Sequence, residues 1–205
     1  GTLTLAAFGI DDAPLGIGAA GALLAYANAT QQSALAHVRG IDVEHESAFL
    51  ALDPATRRNL EITTTLAGDD APTLCSLLDE CATAAGSRLL RQWLAQPLRD
   101  HATLSSRHDG IEAFRAAPRA RRAVSEALRR TVDIERVVGR IALRNARPRG
   151  LAGLRDTLAR LPDVTAASAD LAAPIVVDAR ASLAPDPQWR VLLASAIAPE
   201  PAAMV

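Results

Sequence analysis

Residues 73–100 read TLCSLLDECATAAGSRLLRQWLAQPLRD. Leu74, Leu77 and Leu78 recur at helical spacing, and Leu89, Leu90, Trp93 and Leu94 make a second apolar face that Pro97 brings to an end. Working outward toward the C-terminus, the same period continues. Helices are expected at 103–116 and 119–130. Ile134, Val137, Val138, Ile141 and Ala142 follow i, i+3, i+4, i+7, i+8, the spacing of a core-facing stripe. Arg147-Pro148 breaks the pattern; Leu151, Leu154, Leu158 and Leu161 then make a further stripe, with Pro162 as its expected end. A charge placed at Leu90 or Val138 in such stripes is expected to unfold the module. Residues 163–187 carry no clear period, Trp189 to Ile197 is helical again, and Pro199-Glu200-Pro201 marks an extended exit.

Working toward the N-terminus, β character is weak and short. Residues 2–8 alternate as a short strand would, and Asp11-Asp12-Ala13-Pro14 signals a helix start. Ala19 to Ala29 reads as a helix with Ala22, Leu23 and Tyr26 on one face, continuing through Gln31–Val38 until Gly40. Residues 41–43 and 49–52 read as two short strands. Asp53-Pro54 supplies an N-cap and a first-turn Pro for a short helix toward Asn59, and residues 67–72 form a loop.

The composition agrees with a mainly α fold. Among 205 residues there are 44 Ala and 28 Leu against six aromatics, which disfavours a β-sandwich or a base-stacking platform. There is no uncharged apolar run of about 18 residues to span a membrane and no secretion signal, and a cytoplasmic setting is expected. The net charge of −1 conceals a segregation: residues 1–85 carry −8, residues 86–160 carry +10 and residues 161–205 carry −3. All 22 basic residues are Arg. With no Lys, no P-loop lysine exists here, so an ordinary P-loop ATPase site is excluded within these residues. The Arg-rich 86–160 region lacks interleaved aromatics. It reads either as solvated helix faces or as a surface for phosphate contact.

Three motifs invite chemistry. Gly16-Ile17-Gly18-Ala19-Ala20-Gly21 has the form G-x-G-x-x-G with Asp42 beyond it, but no strand leads directly into it, so tight helix packing is the better reading. His101 and His108 stand two helical turns apart, beside Asp100 and Asp109, and His37 and His45 flank an expected strand; solvent-facing histidines fit better than a metal site. Cys75 and Cys81 sit beside no His and read as buried structural thiols.

The run Thr73-Leu74-Cys75-Ser76-Leu77-Leu78-Asp79, followed by Gly86-Ser87-Arg88-Leu89-Leu90-Arg91-Gln92-Trp93-Leu94-Ala95-Gln96-Pro97-Leu98-Arg99-Asp100, resembles the core-domain signature of the MutS family of DNA mismatch recognition ATPases. Asp53 with Thr56–Ile62 resembles the segment entering that domain. Asp133-Ile134-Glu135-Arg136, Arg140-Ile141 and Ala146-Arg147-Pro148-Arg149 resemble the family's lever helices, and Phe8-Gly9, Ala19–Tyr26 and Thr30-Gln31 the end of its connector domain. Ala85 stands where the family often has Met, Cys81 where Thr is common, and Val132 where Gly is frequent.

The resemblance implies a mainly α multi-helix core with a small β element near residues 41–52. Residues 1–32 would end an α/β connector domain, and 33–205 would form the first part of the core up to a clamp insertion. It further implies a fragment that is not itself an enzyme: a structural segment that links DNA clamp to ATPase and transmits conformational change. The parent would bind mismatched double-stranded DNA, MutL and ATP with Mg, and would form a homodimer. No catalytic, cofactor-binding or metal residue is assigned to these 205 residues. The alternatives are an autonomous α-helical interaction module and a weak phosphate-contacting DNA binder acting through 86–160.

Overall fold

A computed structural model describes residues 13–31, 40, 43 and 45–201. The chain divides into two compact units, Gly1–Glu46 and Ser47–Val205. In the first unit the described element is helix α1 (Pro14–Gln31), which starts at the Pro of the Asp-Asp-Ala-Pro signal, earlier than Ala19. Leu23 and Tyr26, read as sharing one face of it, are largely exposed. The expected strand at 2–8, the extension over 32–38 and residues 41–42 lie outside the described residues.

The second unit is helical, and its helices start where side chains can cap them. Asp53 caps α2 (Pro54–Asn59) by accepting from the Thr56 N–H. Thr73 and Ser76 form a reciprocal capping box on α3 (Leu74–Leu78), and Thr83 caps α4 (Ala84–Ala95) through the Gly86 N–H. Asp100 caps α5 (His101–Ala116), Asp133 caps α7 (Ile134–Ala142) and Asp186 caps α10 (Pro187–Ala196). Each such cap stabilises its helix by about 1 kcal/mol. α6 (Pro118–Arg129), α8 (Pro148–Ala167) and α9 (Pro174–Ala181) have no side-chain cap and begin with Pro, whose fixed φ suits the first turn.

Helix α8 is the spine of the unit. α6, α7 and α10 pack on it, and α5 joins α6 to α9. Its buried residues Leu154, Thr157, Leu161 and Val164 form one face, continued by Ser168 and Leu171 beyond its end, and Ala152 is buried on the opposite side. Val137 of α7 and Val176 of α9 complete the buried apolar set on neighbouring helices. Pro162 does not end α8, contrary to the expectation from sequence; the helix runs five residues further. An internal Pro costs about 3 kcal/mol, whereas burying each of Leu161 and Val164 contributes about 1.5–3 kcal/mol. The ring sits on the exposed side, so the stripe beneath it is uninterrupted.

Three further expectations are revised. The stripe on α7 is narrower than its spacing suggests: Val137 is 8% exposed but Val138 49%, so Val138 is not a core residue. Leu74, Leu77 and Leu78 of α3 are exposed, and Cys75 is the residue that helix buries. Among the described residues, the β element reduces to one antiparallel bridge between Phe49 and Leu98. The Leu50 N–H donates to the Pro97 carbonyl at 2.7 Å and the Arg99 N–H to the Ala48 carbonyl at 3.0 Å. On the Pro97 side the ladder stops because Pro97 has no N–H to give.

Candidate functional site

The residues of the 73–100 run mostly fasten helices. Arg88 of α4 reaches Asp133, donating from Nη1 to Oδ2 at 2.7 Å and from Nη2 to Oδ1 at 2.9 Å, and also binds Glu135. Asp133 at the same time caps α7. The Arg88 guanidinium holds the Asp133 carboxyl below the usual carboxylate range, and Asp133, then Glu135, raise the Arg88 pKa further. Arg91 donates to the Thr63 carbonyl at 2.9 Å and pairs with Asp70 across the 67–72 loop. Arg107 lies over the Trp93 ring, 3.6 Å from its centroid, joining α5 to α4.

Arginines elsewhere in the chain act as staples onto backbone. Arg57 donates to the Leu52 and Ala95 carbonyls. Arg180 donates to the carbonyls of Ser168 and Ala169 just beyond α8. Arg155, whose side chain is 16% exposed, pairs with Asp156 and donates to the carbonyls of Ile197, Ala198 and Pro199, fixing the exit from α10. The residue that locks α8 to the α6–α7 turn is Thr157, fully buried, whose Oγ1 accepts from the Val132 N–H at 3.0 Å. Sequence reasoning missed Thr157, because a Thr inside a Leu-rich helix carries no periodic signal. It also missed Arg155 and Arg180, since an Arg that bonds to carbonyls looks like any surface Arg.

Among the described residues, the remaining sequence candidates are not brought together. Gly16–Gly21 lies inside α1, and the Ile17 N–H already bonds to the Ala13 carbonyl, so the motif is helix rather than a phosphate loop. Asp42 and His37 lie outside the described residues. His45, His101 and His108 are exposed, and no group of three or more His, Cys, Asp or Glu side chains suited to a metal occurs among the described residues. Cys75 is buried as expected, but Cys81 is exposed. Partial desolvation, then the neighbouring Asp79 carboxylate, push the Cys81 thiol up, away from the reactive thiolate. No helix among the described residues is long and apolar enough to cross a membrane.

Two open cavities flank the spine. One of about 590 Å³ is lined by apolar side chains including Trp93, Phe114, Leu128, Ile175 and Leu183, with Arg107, Arg121 and Arg180 among its lining. The other, about 640 Å³, lies between α8 and α10 against Leu158, Pro162 and Arg190. Neither holds convergent acid, base or nucleophile side chains.

A different group of arginines makes no ion pair among the described residues. Arg136, Arg140, Arg144, Arg147 and Arg149, at the α7–α8 elbow, are all exposed. α7 ends there in a Schellman turn: the Asn145 N–H donates to the Arg140 carbonyl at 2.9 Å and the Arg144 N–H to the Ile141 carbonyl at 3.0 Å.

Compared with known families, residues 55–205 match the family model described as MutS domain III. The match covers the helical unit almost from end to end.

Proposed function

The chain belongs to the MutS family of DNA mismatch repair proteins, and from that membership we propose that it is the stiff coupling segment of a larger member. In this reading residues 1–32 close a connector domain and 33–205 form the first part of the helical core. The segment joins a DNA clamp to an ATPase and relays conformational change between them. The parent binds mismatched duplex DNA, MutL and ATP with Mg, pairs as a homodimer and works in the cytoplasm. This segment itself has no catalytic role.

One observation carries the reading. The long side chains of the 73–100 run, Arg88 above all, are spent on fastening α4 to α7 and to the neighbouring loops rather than on presenting groups to a ligand. Relay over distance requires packed elements that move as a body. A spine helix with neighbours stapled to it by Thr157, Arg155 and Arg180 meets that requirement. An autonomous module is less well supported: Leu77, Val191 and Trp189 stand 77%, 65% and 52% exposed, which is much apolar surface to leave without cover.

The test is Arg88→Gln in a protein that contains this segment together with the ATPase and the clamp. Basal ATP turnover and DNA affinity should each persist, while the response of turnover to mismatched duplex falls several-fold. An undiminished response would refute the relay. The 205-residue chain alone should hydrolyse no ATP, and turnover by the pure chain would refute its non-catalytic role.

A further inference from the structure

Between Glu135 and Asp156 the sequence carries six arginines and no acid. The acids at the two ends of this stretch are already engaged. Asp133 and Glu135 are held by Arg88, and Asp156 by Arg155. Arg155 is spent on the exit carbonyls, which leaves Arg136, Arg140, Arg144, Arg147 and Arg149 as an exposed group that makes no ion pair among the described residues, although Arg136 feels the charge of Asp133, which Arg88 already holds. Arg136 and Arg140 lie one turn apart on α7, about 6 Å along its axis. Arg147 and Arg149 sit in and just before the first turn of α8, whose N–H groups have no side-chain cap.

Arg144 distinguishes this elbow from a merely solvated helix end. It occupies the position after the C-cap with φ of 54°, in the left-handed region where Gly is at no disadvantage and a side chain is strained. The turn would form more readily with Gly there. A guanidinium is kept instead, at a cost in stability, in the middle of the acid-free stretch. Strain of this kind points to a use for the side chain.

We propose that the α7–α8 elbow is a contact surface for the phosphate backbone of duplex DNA. Duplex phosphate fits better than single-stranded bases, because no aromatic side chain lies between Arg136 and Arg149 to stack on. Guanidinium groups spaced by a helical turn and a tight elbow suit a row of phosphates and read no sequence. The inference rests on the reading of the chain as part of a DNA repair protein. Failure of that reading would appear in the ATP-coupling measurement, whereas failure of this one appears in the following titration.

The experiment is fluorescence anisotropy of the 205-residue chain with a labelled mixed-sequence duplex of about 30 base pairs, titrated across salt, beside a thermal melt of each variant. Arg144→Gly is expected to raise Tm by about 2–4 °C. The same variant should weaken binding at low salt about fivefold and flatten the log–log salt slope by about 0.9, one phosphate contact. Combining it with Arg136→Gln and Arg140→Gln should flatten the slope by about 2.7. The control, Arg119→Gln with Arg129→Gln on α6, should stay within about twofold of the parent chain. Four results would overturn the proposal: no binding by the parent chain at low salt, equal affinity of the elbow variants, equal loss in the control, or displacement of the duplex by polyglutamate at matched charge.

Discussion

Substituting Gly153 on α8 tests the packing at the centre of the helical unit. A Cβ built at Gly153 would stand 2.6 Å from Val132 Cγ1 and 3.6 Å from Val132 Cβ, whereas ordinary contacts lie at 3.4–4 Å. Val132 has little freedom to yield. It is β-branched, and its N–H is tied to the buried Thr157 hydroxyl one turn along the same face of α8. Overpacking of this kind costs about 1–3 kcal/mol, against about 1 kcal/mol gained by replacing Gly with Ala in a helix. Gly153→Ala should therefore destabilise by about 1 kcal/mol net, a fall in Tm of about 2–4 °C by circular dichroism. With Val132→Ala the obstructing Cγ1 is gone, and adding Gly153→Ala should then raise Tm by a similar amount. A rise in Tm for Gly153→Ala alone, or the same change in both backgrounds, would refute the interlock.

Two more predictions use the same melts. Val137→Asp should abolish cooperative unfolding, because it buries an unpaired charge, whereas Val138→Asp should shift the midpoint by under about 1 kcal/mol, its side chain being half exposed; similar losses at both sites would contradict the burial of α7. Asp133 has a depressed pKa in the folded chain, so its pairing with Arg88 contributes stability above the unfolded carboxylate pKa and loses it as pH falls through the folded value. The Tm difference between the parent chain and Arg88→Gln should be full at neutral pH and shrink below about pH 4; a constant difference down to about pH 2 would mean that the pair is not what Arg88 stabilises.

Much of the fold was legible because periodicity and caps are local. Asp53-Pro54 announces the start of α2, and the helices expected at 103–116 and 119–130 correspond to α5 and α6 within two residues at each end. Less legible were properties decided by tertiary neighbours. Val137 and Val138 are equivalent in an apolar pattern, and only the direction of α8 buries one and exposes the other. Pro162 reads as a terminator unless the burial of Leu161 and Val164 is known to outweigh it. Of the strand expected over 49–52 only Phe49 is paired, in a single bridge, and its partner, Leu98, is too distant in sequence to pair by inspection. For function, the Gly16–Gly21 motif proved to be helix, and the long 73–100 signature carried the family. The elbow arginines were legible only as part of a broad basic region; the engaged acids that isolate them required the structure.

The grip of Arg155 on three successive carbonyls has a mechanical corollary. It ties the departing backbone to the same stretch of α8 that receives Val132 from the opposite side, within residues 153–157. Those five positions thus act as a shared axle. A small rotation of α8 about its own axis would shift the α6–α7 corner and the outgoing segment at 197–199 together, in opposite directions.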